Sequence, residues 1–271
     1  GLVGLILPKI DHNFFAQIIN GVLDKAAKED YKVIVLCSNE SYKKEKKHIN
    51  DLLQLSADGI FVSIAKSTNT FDHLKAVQKS NTPLVVFDRY AKILPSHRIV
   101  IDDKHAAFKA TEHLIKMGCD KIAYLRGDFI SQIYVDRFLG YKEALAFYQI
   151  PFNQDLVLAC NYNSIEEGGI QILKLLNSGV EFNGLFAVED LLALGAMEKL
   201  KKHDFKIPDD VAIMGFSNWK MAEVASPPLS SVEQNGYLMG EKVFQLFIKD
   251  KENKLEENSF QTEIIPTKII L

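Results

Sequence analysis

Apolar residues in this chain follow two alternating rhythms. Short unbroken runs of Val, Ile, Leu, Phe and Ala are bounded by glycine, proline or acids, and between them lie longer stretches where apolar residues recur at helical spacing. The first pattern predicts strands buried on both faces, the second amphipathic helices. Strands are predicted over 3–7, 33–37, 59–64, 83–87 and 98–101, with helices from Asn13 to about Glu29, over 41–55 and over 70–79. The pattern then restarts. A helix over 106–117, ended by Gly118, leads to strands over 121–125, 156–160, 185–188 and 211–216, which alternate with helices over 137–148, 164–176 and 191–202. After Pro227-Pro228 come a weak strand over 229–232, a helix over 237–248, a charged stretch over 249–258, and strands over 260–265 and 268–271 around a bend at Pro266.

The stretch 182–219 carries the most information. Two apolar runs flank a helix whose inner face is Leu191, Leu192, Leu194, Ala196, Met197 and Leu200, and Asp190 stands where an N-cap belongs. Strand, helix and strand joined by short loops make a parallel pair with a right-handed crossover. Ligands meet such sheets at the carboxyl ends of the strands, which here carry Glu189-Asp190 and Ser217-Asn218-Trp219. Two successive sets of these units predict an α/β protein with two Rossmann-like lobes, each a parallel sheet flanked by helices, the first break falling near Asp102.

Composition narrows the function. The chain has 271 residues, 47% hydrophobic and 25% charged, with a formal net charge of −3. That balance gives no electrostatic footprint for nucleic acid. Cys37, Cys119 and Cys160 match no metal or disulfide spacing and read as reduced, buried thiols. No apolar run is long enough to span a membrane. The patterns of the nucleophile elbow, the P-loop, the dinucleotide fingerprint and the zinc-protease helix do not occur. His105 and His113 share a helix face without an acidic third ligand, so packed or surface histidines are expected there, not a metal site. No enzymatic activity and no cofactor is expected.

The phrases AVEDLLALGA (187–196), IPDDV (207–211) and Gly215-Phe216, with PLVVFDR (83–89) and DRFLGY (136–141), resemble the effector-binding domain of LacI/GalR transcription regulators. The resemblance covers nearly the whole chain, in order. It implies the fold of periplasmic sugar-binding proteins, with three crossings between lobes, near Asp102, Gln234 and Glu257. The first lobe would be 1–102 with 235–257, and the second 103–234 with 258–271. It also implies a ligand cleft between the lobes, a homodimer, a cytoplasmic location, and operator DNA read by a helix-turn-helix headpiece that this chain lacks. Gly1 opens directly on a strand, so removal of a signal peptide, a headpiece or a tag is expected.

The resemblance also assigns ligand positions. In the first lobe they are Asp11, His12, Phe14 and Phe15 after the first strand, and Asp88 and Arg89 after the fourth. The two phenylalanines either pack in the core or present one ring to ligand. In the second lobe Ser131 and Arg137 are candidates, and arginine's fixed fork of donors suits vicinal hydroxyls or a carboxylate. Arg137 is expected at the opening of its helix, carrying little of the core. Either Tyr162 or Asn163 would stack on or anchor the ligand. Of Glu189 and Asp190, one faces the ligand and the other caps. Ser217 departs from the aspartate that many sugar-responding members carry, which makes an anionic ligand easier to accept, and Asn218 could take over part of that role. The effector expected is a sugar or sugar derivative. The alternative is a periplasmic or secreted sugar-binding protein of an uptake system. On the helix over 237–248, Val243, Phe244, Phe247 and Ile248 exceed what one buried face needs, and a dimer contact is expected there.

Overall fold

A computed structural model describes residues 1–252 and 259–271. The crossing expected near Glu257, and most of the charged stretch over 249–258, lie outside the described residues. The chain forms two compact units, Gly1–Ile101 with Asn235–Pro266 and Asp102–Gln234 with Thr267–Leu271.

The first unit contains β1 (Leu2–Leu7), α1 (Asn13–Lys28), β2 (Lys32–Cys37), α2 (Tyr42–Gln54), β3 (Gly59–Val62), α3 (Asp72–Lys79), β4 (Leu84–Phe87) and β5 (His97–Ile101). The second runs from α4 (Asp103–Lys116) through β6 (Ile122–Arg126), α5 (Gln132–Phe147), β7 (Val157–Ala159), α6 (Ile165–Ser178), β8 (Gly184–Ala187), α7 (Asp190–Lys202), β9 (Ala212–Met214) and α8 (Lys220–Val224) to β10 (Ser231–Glu233). The chain returns to the first unit for α9 (Gly236–Lys251) and β11 (Thr262–Ile265), and ends in the second with β12 (Lys268–Ile270).

The first sheet has the order β11-β5-β4-β3-β1-β2 and is parallel throughout. The central strands β1, β3 and β4 are buried on both faces, which is why they read as unbroken apolar runs. On one face Ile49 and Leu52 of α2 and Leu74 and Val77 of α3 meet Ile6, Ile60, Val62 and Val86. On the other, Phe244 and Phe247 of α9 lie edge-on to Phe61 and Tyr31, with ring centroids 5.4–6.2 Å apart. Val243, Phe244 and Phe247 are therefore core residues and not the dimer contact expected of them. Their excess over a single stripe arises because α9 packs against both the sheet and α1.

The second unit has a parallel sheet, β7-β6-β8-β9, and an antiparallel pair, β10-β12. The expected membership of 258–271 divides at Pro266. Thr262–Ile265 pairs with Arg98–Ile101 in the first sheet, and only Lys268–Ile270 joins the second unit. The apolar pattern of a short strand does not specify which of two sheets will accept it. The helix α8 and the short turn Gln154–Leu156 have no counterpart among the predicted elements.

Candidate functional site

Local chemistry sets the loops at the carboxyl ends of the strands. In the second unit α4 begins three residues earlier than the periodicity predicts, because Asp102 caps it, accepting a hydrogen bond from the His105 N–H at 2.9 Å. Asp103 then stands in the first turn. The helix α5 likewise begins at Gln132, not at Arg137. Arg137 is thus in the second turn, facing inward.

Its side chain is 1% exposed. Nε donates to Asp103 Oδ1 at 2.8 Å and Nη1 to the Val188 carbonyl at 2.8 Å, with Glu189 Oε1 3.6 Å from Nη1. The guanidinium carbon lies 3.7 Å from the centroid of the Phe216 ring. Burial works against the charge, but Asp103 and Glu189 outweigh it, and the guanidinium stays protonated. With Nε and Nη1 so engaged and the side chain buried, most of the fork is taken up inside the unit.

Glu189 precedes α7 with extended backbone, and its Oε2 accepts from Ser217 Oγ at 3.0 Å. Asp190 is not the cap. It is the first helical residue and fully buried. Its Oδ2 accepts from the Trp219 N–H at 2.7 Å and its Oδ1 from Ser231 Oγ at 2.6 Å. Ser231 Oγ in turn accepts from the Asn218 N–H at 3.0 Å. Asp190 therefore ties three segments together and has no free surface for a ligand. Gly215 makes this possible, since a β-carbon there would overlap Asp190 Oδ1. Burial raises the Asp190 carboxyl to about 6, against the pull of the Ser231 and Trp219 hydrogen bonds, and the nearby Glu189 charge adds to the rise.

The turn held in this way is unusual. Ser217 and Asn218 both have positive φ, 106° and 46°, a conformation that costs a non-glycine residue energy and persists where the surroundings over-determine it. The Ser217 N–H bonds the Val232 carbonyl at 2.9 Å, and Asn218 Nδ2 donates to Glu233 Oε2 at 2.8 Å. Of the Tyr162 and Asn163 alternatives, Asn163 is the tethered one, donating to Tyr134 Oη at 2.6 Å, while Tyr162 is 73% exposed. Ser131 sits at the start of α5, its N–H bonded to Asp128 Oδ1 at 3.2 Å. Beneath this layer the Tyr124 hydroxyl is buried with no partner among the described residues, and burial holds its proton on.

In the first unit His12, not Asn13, caps α1, its Nδ1 accepting from the Phe14 N–H at 3.3 Å. Phe14 and Phe15 are both buried, 4% exposed, with ring centroids 5.5 Å apart. Asp11 is exposed. Asp88 has positive φ and accepts from Ser63 Oγ at 2.9 Å. Arg89 makes a two-pronged pair with Glu40, both contacts 2.8 Å.

Sequence reasoning missed Asp103, Ser231 and Glu233. The acid doublet Asp102-Asp103 ahead of a helical pattern carried a usable capping signal. Ser231 and Glu233, on a strand of weak pattern, carried none. Among the described residues no group of three or more His, Cys, Asp or Glu is arranged to hold a metal ion, and no helix is long and apolar enough to cross a membrane.

Two α/β units with polar and charged residues gathered at strand carboxyl ends define a small-molecule-binding architecture of the periplasmic-binding-protein type. A family model described as "Periplasmic binding proteins and sugar binding domain of LacI family" matches residues 1–269, and the chain belongs to that family. It is 31% identical over 272 residues to a ribose operon repressor of Halalkalibacterium halodurans, covering 100% of this chain and 78% of that protein. It is 28% identical over 266 residues to the HTH-type transcriptional repressor PurR of Vibrio parahaemolyticus, covering 97% and 79%. Among solved structures, the transcription regulator CcpA of Lactococcus lactis matches with a TM-score of 0.87 at 29% identity, over 100% of this chain and 97% of that one. These relatives are transcriptional repressors and regulators, not enzymes.

Proposed function

We propose that these residues form the effector-sensing and self-associating part of a LacI-type transcription regulator, cytoplasmic in location, with a sugar or sugar derivative as effector. The observation that carries the proposal is the second-unit layer of Glu189, Ser217 and Asn218, built at strand carboxyl ends on buried supports. Phe14, Phe15, Asp88 and Arg89, at the corresponding ends of the first sheet, are the further ligand positions. Effector binding biases a conformational equilibrium by the difference in affinity between the two states. Operator contact is made by a part of the regulator other than these 271 residues, whose net charge of −3 suits no phosphate backbone. The uptake-protein alternative shares the fold, but the relatives matched along this chain are named as repressors and regulators.

The test is a thermal-shift screen of neutral mono- and disaccharides, with sedimentation of the free protein. A ligand at a hundredfold excess over Kd adds about 2.7 kcal/mol and raises Tm by roughly 5–10 °C. We expect one sugar to do this and the protein to sediment as a dimer. No shift with any sugar, together with a monomer at tens of micromolar, would contradict both parts.

A further inference from the structure

One position on the inner face of α2 breaks its apolar pattern. Ile49 and Leu52 fill that face against the first sheet, and Glu45, one turn earlier, is fully buried on the same face. Burying a carboxylate costs more than burying an apolar side chain unless partners satisfy it. Helix packing alone therefore gives no reason for a glutamate here. We propose that Glu45 is a positioning residue for effector binding: through the loop that follows β3 it sets Arg89, a ligand position of the first unit, without touching the effector. This deepens the effector reading above and rests on it.

Glu45 closes a turn in that loop. Its Oε2 accepts from the Ala65 N–H at 2.5 Å and its Oε1 from Thr68 Oγ1 at 2.9 Å, while the Thr68 N–H bonds the Ala65 carbonyl at 2.9 Å. His73, on α3, places Nε2 at 2.7 Å from the same Oε1. A carboxylate only accepts hydrogen bonds, so Nε2 carries the hydrogen. The buried His73 ring stands edge-on to Tyr42, with centroids 5.1 Å apart. The turn is thereby fixed to α3 as well as to α2.

From this turn two backbone N–H groups reach Arg89 and its partner. The Ile64 N–H bonds the Arg89 carbonyl at 3.2 Å. The Lys66 N–H bonds Glu40 Oε2 at 2.8 Å, and the same carboxylate receives Arg89 Nη1 on both oxygens at 2.8 Å. Ser67 Oγ donates to the Glu40 carbonyl at 2.8 Å and accepts from the Tyr42 N–H at 2.7 Å. Asn39 and Glu40 have φ of 48° and 58°, a backbone that persists where contacts over-determine it. A displaced turn would take the Lys66 N–H off Glu40, and Glu40 would then hold the guanidinium less firmly. A binding side chain keeps its geometry only while the groups behind it are locked.

The test joins amide exchange to a double-mutant cycle on the whole chain. Thr68→Val removes one hydrogen bond of Glu45 with little change of shape, and Glu45→Met removes both acceptor oxygens. We expect faster exchange of the Ile64, Ala65 and Lys66 amides in Thr68→Val, and in Glu45→Met if it folds, with α1 and α9 unchanged. The binding probe is the tightest binder among D-ribose, D-glucose, D-galactose and cellobiose, with Kd from calorimetry. Thr68→Val should weaken its binding about three- to tenfold, the size of one lost hydrogen bond, and Thr68→Ser, which restores the hydroxyl, should bind like the parent. In an Arg89→Ala background the same Thr68→Val change should weaken binding by less than about twofold, because the side chain being positioned is gone. If that background binds too weakly to measure, Glu40→Gln, which loosens the link to the guanidinium, replaces it. A merely structural role would give the full loss in either background, and that result overturns the inference. Unchanged exchange or unchanged Kd in Thr68→Val overturns it too. If none of the four sugars binds the parent, the effector reading fails and the inference falls with it; a sugar that binds with additive losses defeats the inference alone.

Discussion

Arg137 carries opposite expectations from sequence and structure. As a cleft arginine at a helix opening it would carry little of the core. In the second turn of α5, sealed under Phe216 and bonded to Asp103 and Val188, it is an internal strut. Removing one partner of a buried ion pair costs about 3–5 kcal/mol, because the remaining charges stay buried and uncompensated. Arg137→Ala should therefore lower the ligand-free Tm by on the order of 10 °C; a change within about 2 °C would mean the side chain is not a strut. Its neighbour Tyr124 predicts the reverse. A buried hydroxyl without a partner costs about 1–3 kcal/mol, so Tyr124→Phe should leave urea stability unchanged or raise it, and a clear loss would show that the hydroxyl has a partner. Asp190 gives a pH dependence. Its carboxyl titrates at about 6 in the folded chain, above the ordinary 3.8. The folded state therefore binds the extra proton, and this contribution is complete below 3.8 and lost as pH rises through 6. The rise corresponds to about 3 kcal/mol, to order of magnitude. Urea unfolding at pH 5 and pH 7.5 should show Asp190→Asn with a weaker fall in stability than the parent, and identical falls would contradict the assignment.

At the scale of elements, alternation made nearly every strand and helix legible, because strands buried on both faces and amphipathic helices have distinct periods. Starts of helices were less legible. They depend on which residue takes the N-cap position: His12 and not Asn13 caps α1, α4 follows Asp102 and does not wait for Ala106, and α5 follows Ser131 and does not wait for Arg137. The interlocking of helix pairs was not legible at all. A β-carbon on Gly195 of α7 would collide with the Ile165 carbonyl of α6, and one on Gly21 of α1 with the Tyr237 carbonyl of α9. A mid-helix glycine normally costs about 1 kcal/mol relative to alanine, so Gly195→Ala would stabilise an isolated α7. In the folded unit the overlap is with backbone, which has little room to yield, and overpacking costs about 1–3 kcal/mol or more. The variant should be destabilised, and a rise in Tm would show that α6 and α7 do not approach so closely.

For the whole molecule, the two-sheet organisation and the strand-end location of the candidate residues could be read from the chain, while the long-range pairings that hold them could not. Glu189 and Ser217 are 28 positions apart in sequence yet joined by one hydrogen bond, and Asp103 reaches Arg137 across 34. Pairings at such separations are fixed by strand order and leave no local trace. The same applies to β11, whose apolar residues suit either sheet and whose place beside β5 follows from the path of the chain. The central claim is the proposal that these 271 residues sense a sugar or sugar derivative. The most direct measurement is a calorimetric titration of the chain with the best neutral sugar from the screen, repeated on Ser217→Ala. The account predicts saturable binding at one ligand per chain, weakened about tenfold or more in the variant while Tm without ligand stays within a few degrees. Absence of saturable heat with every sugar of the screen, or binding that Ser217→Ala leaves untouched, would contradict it.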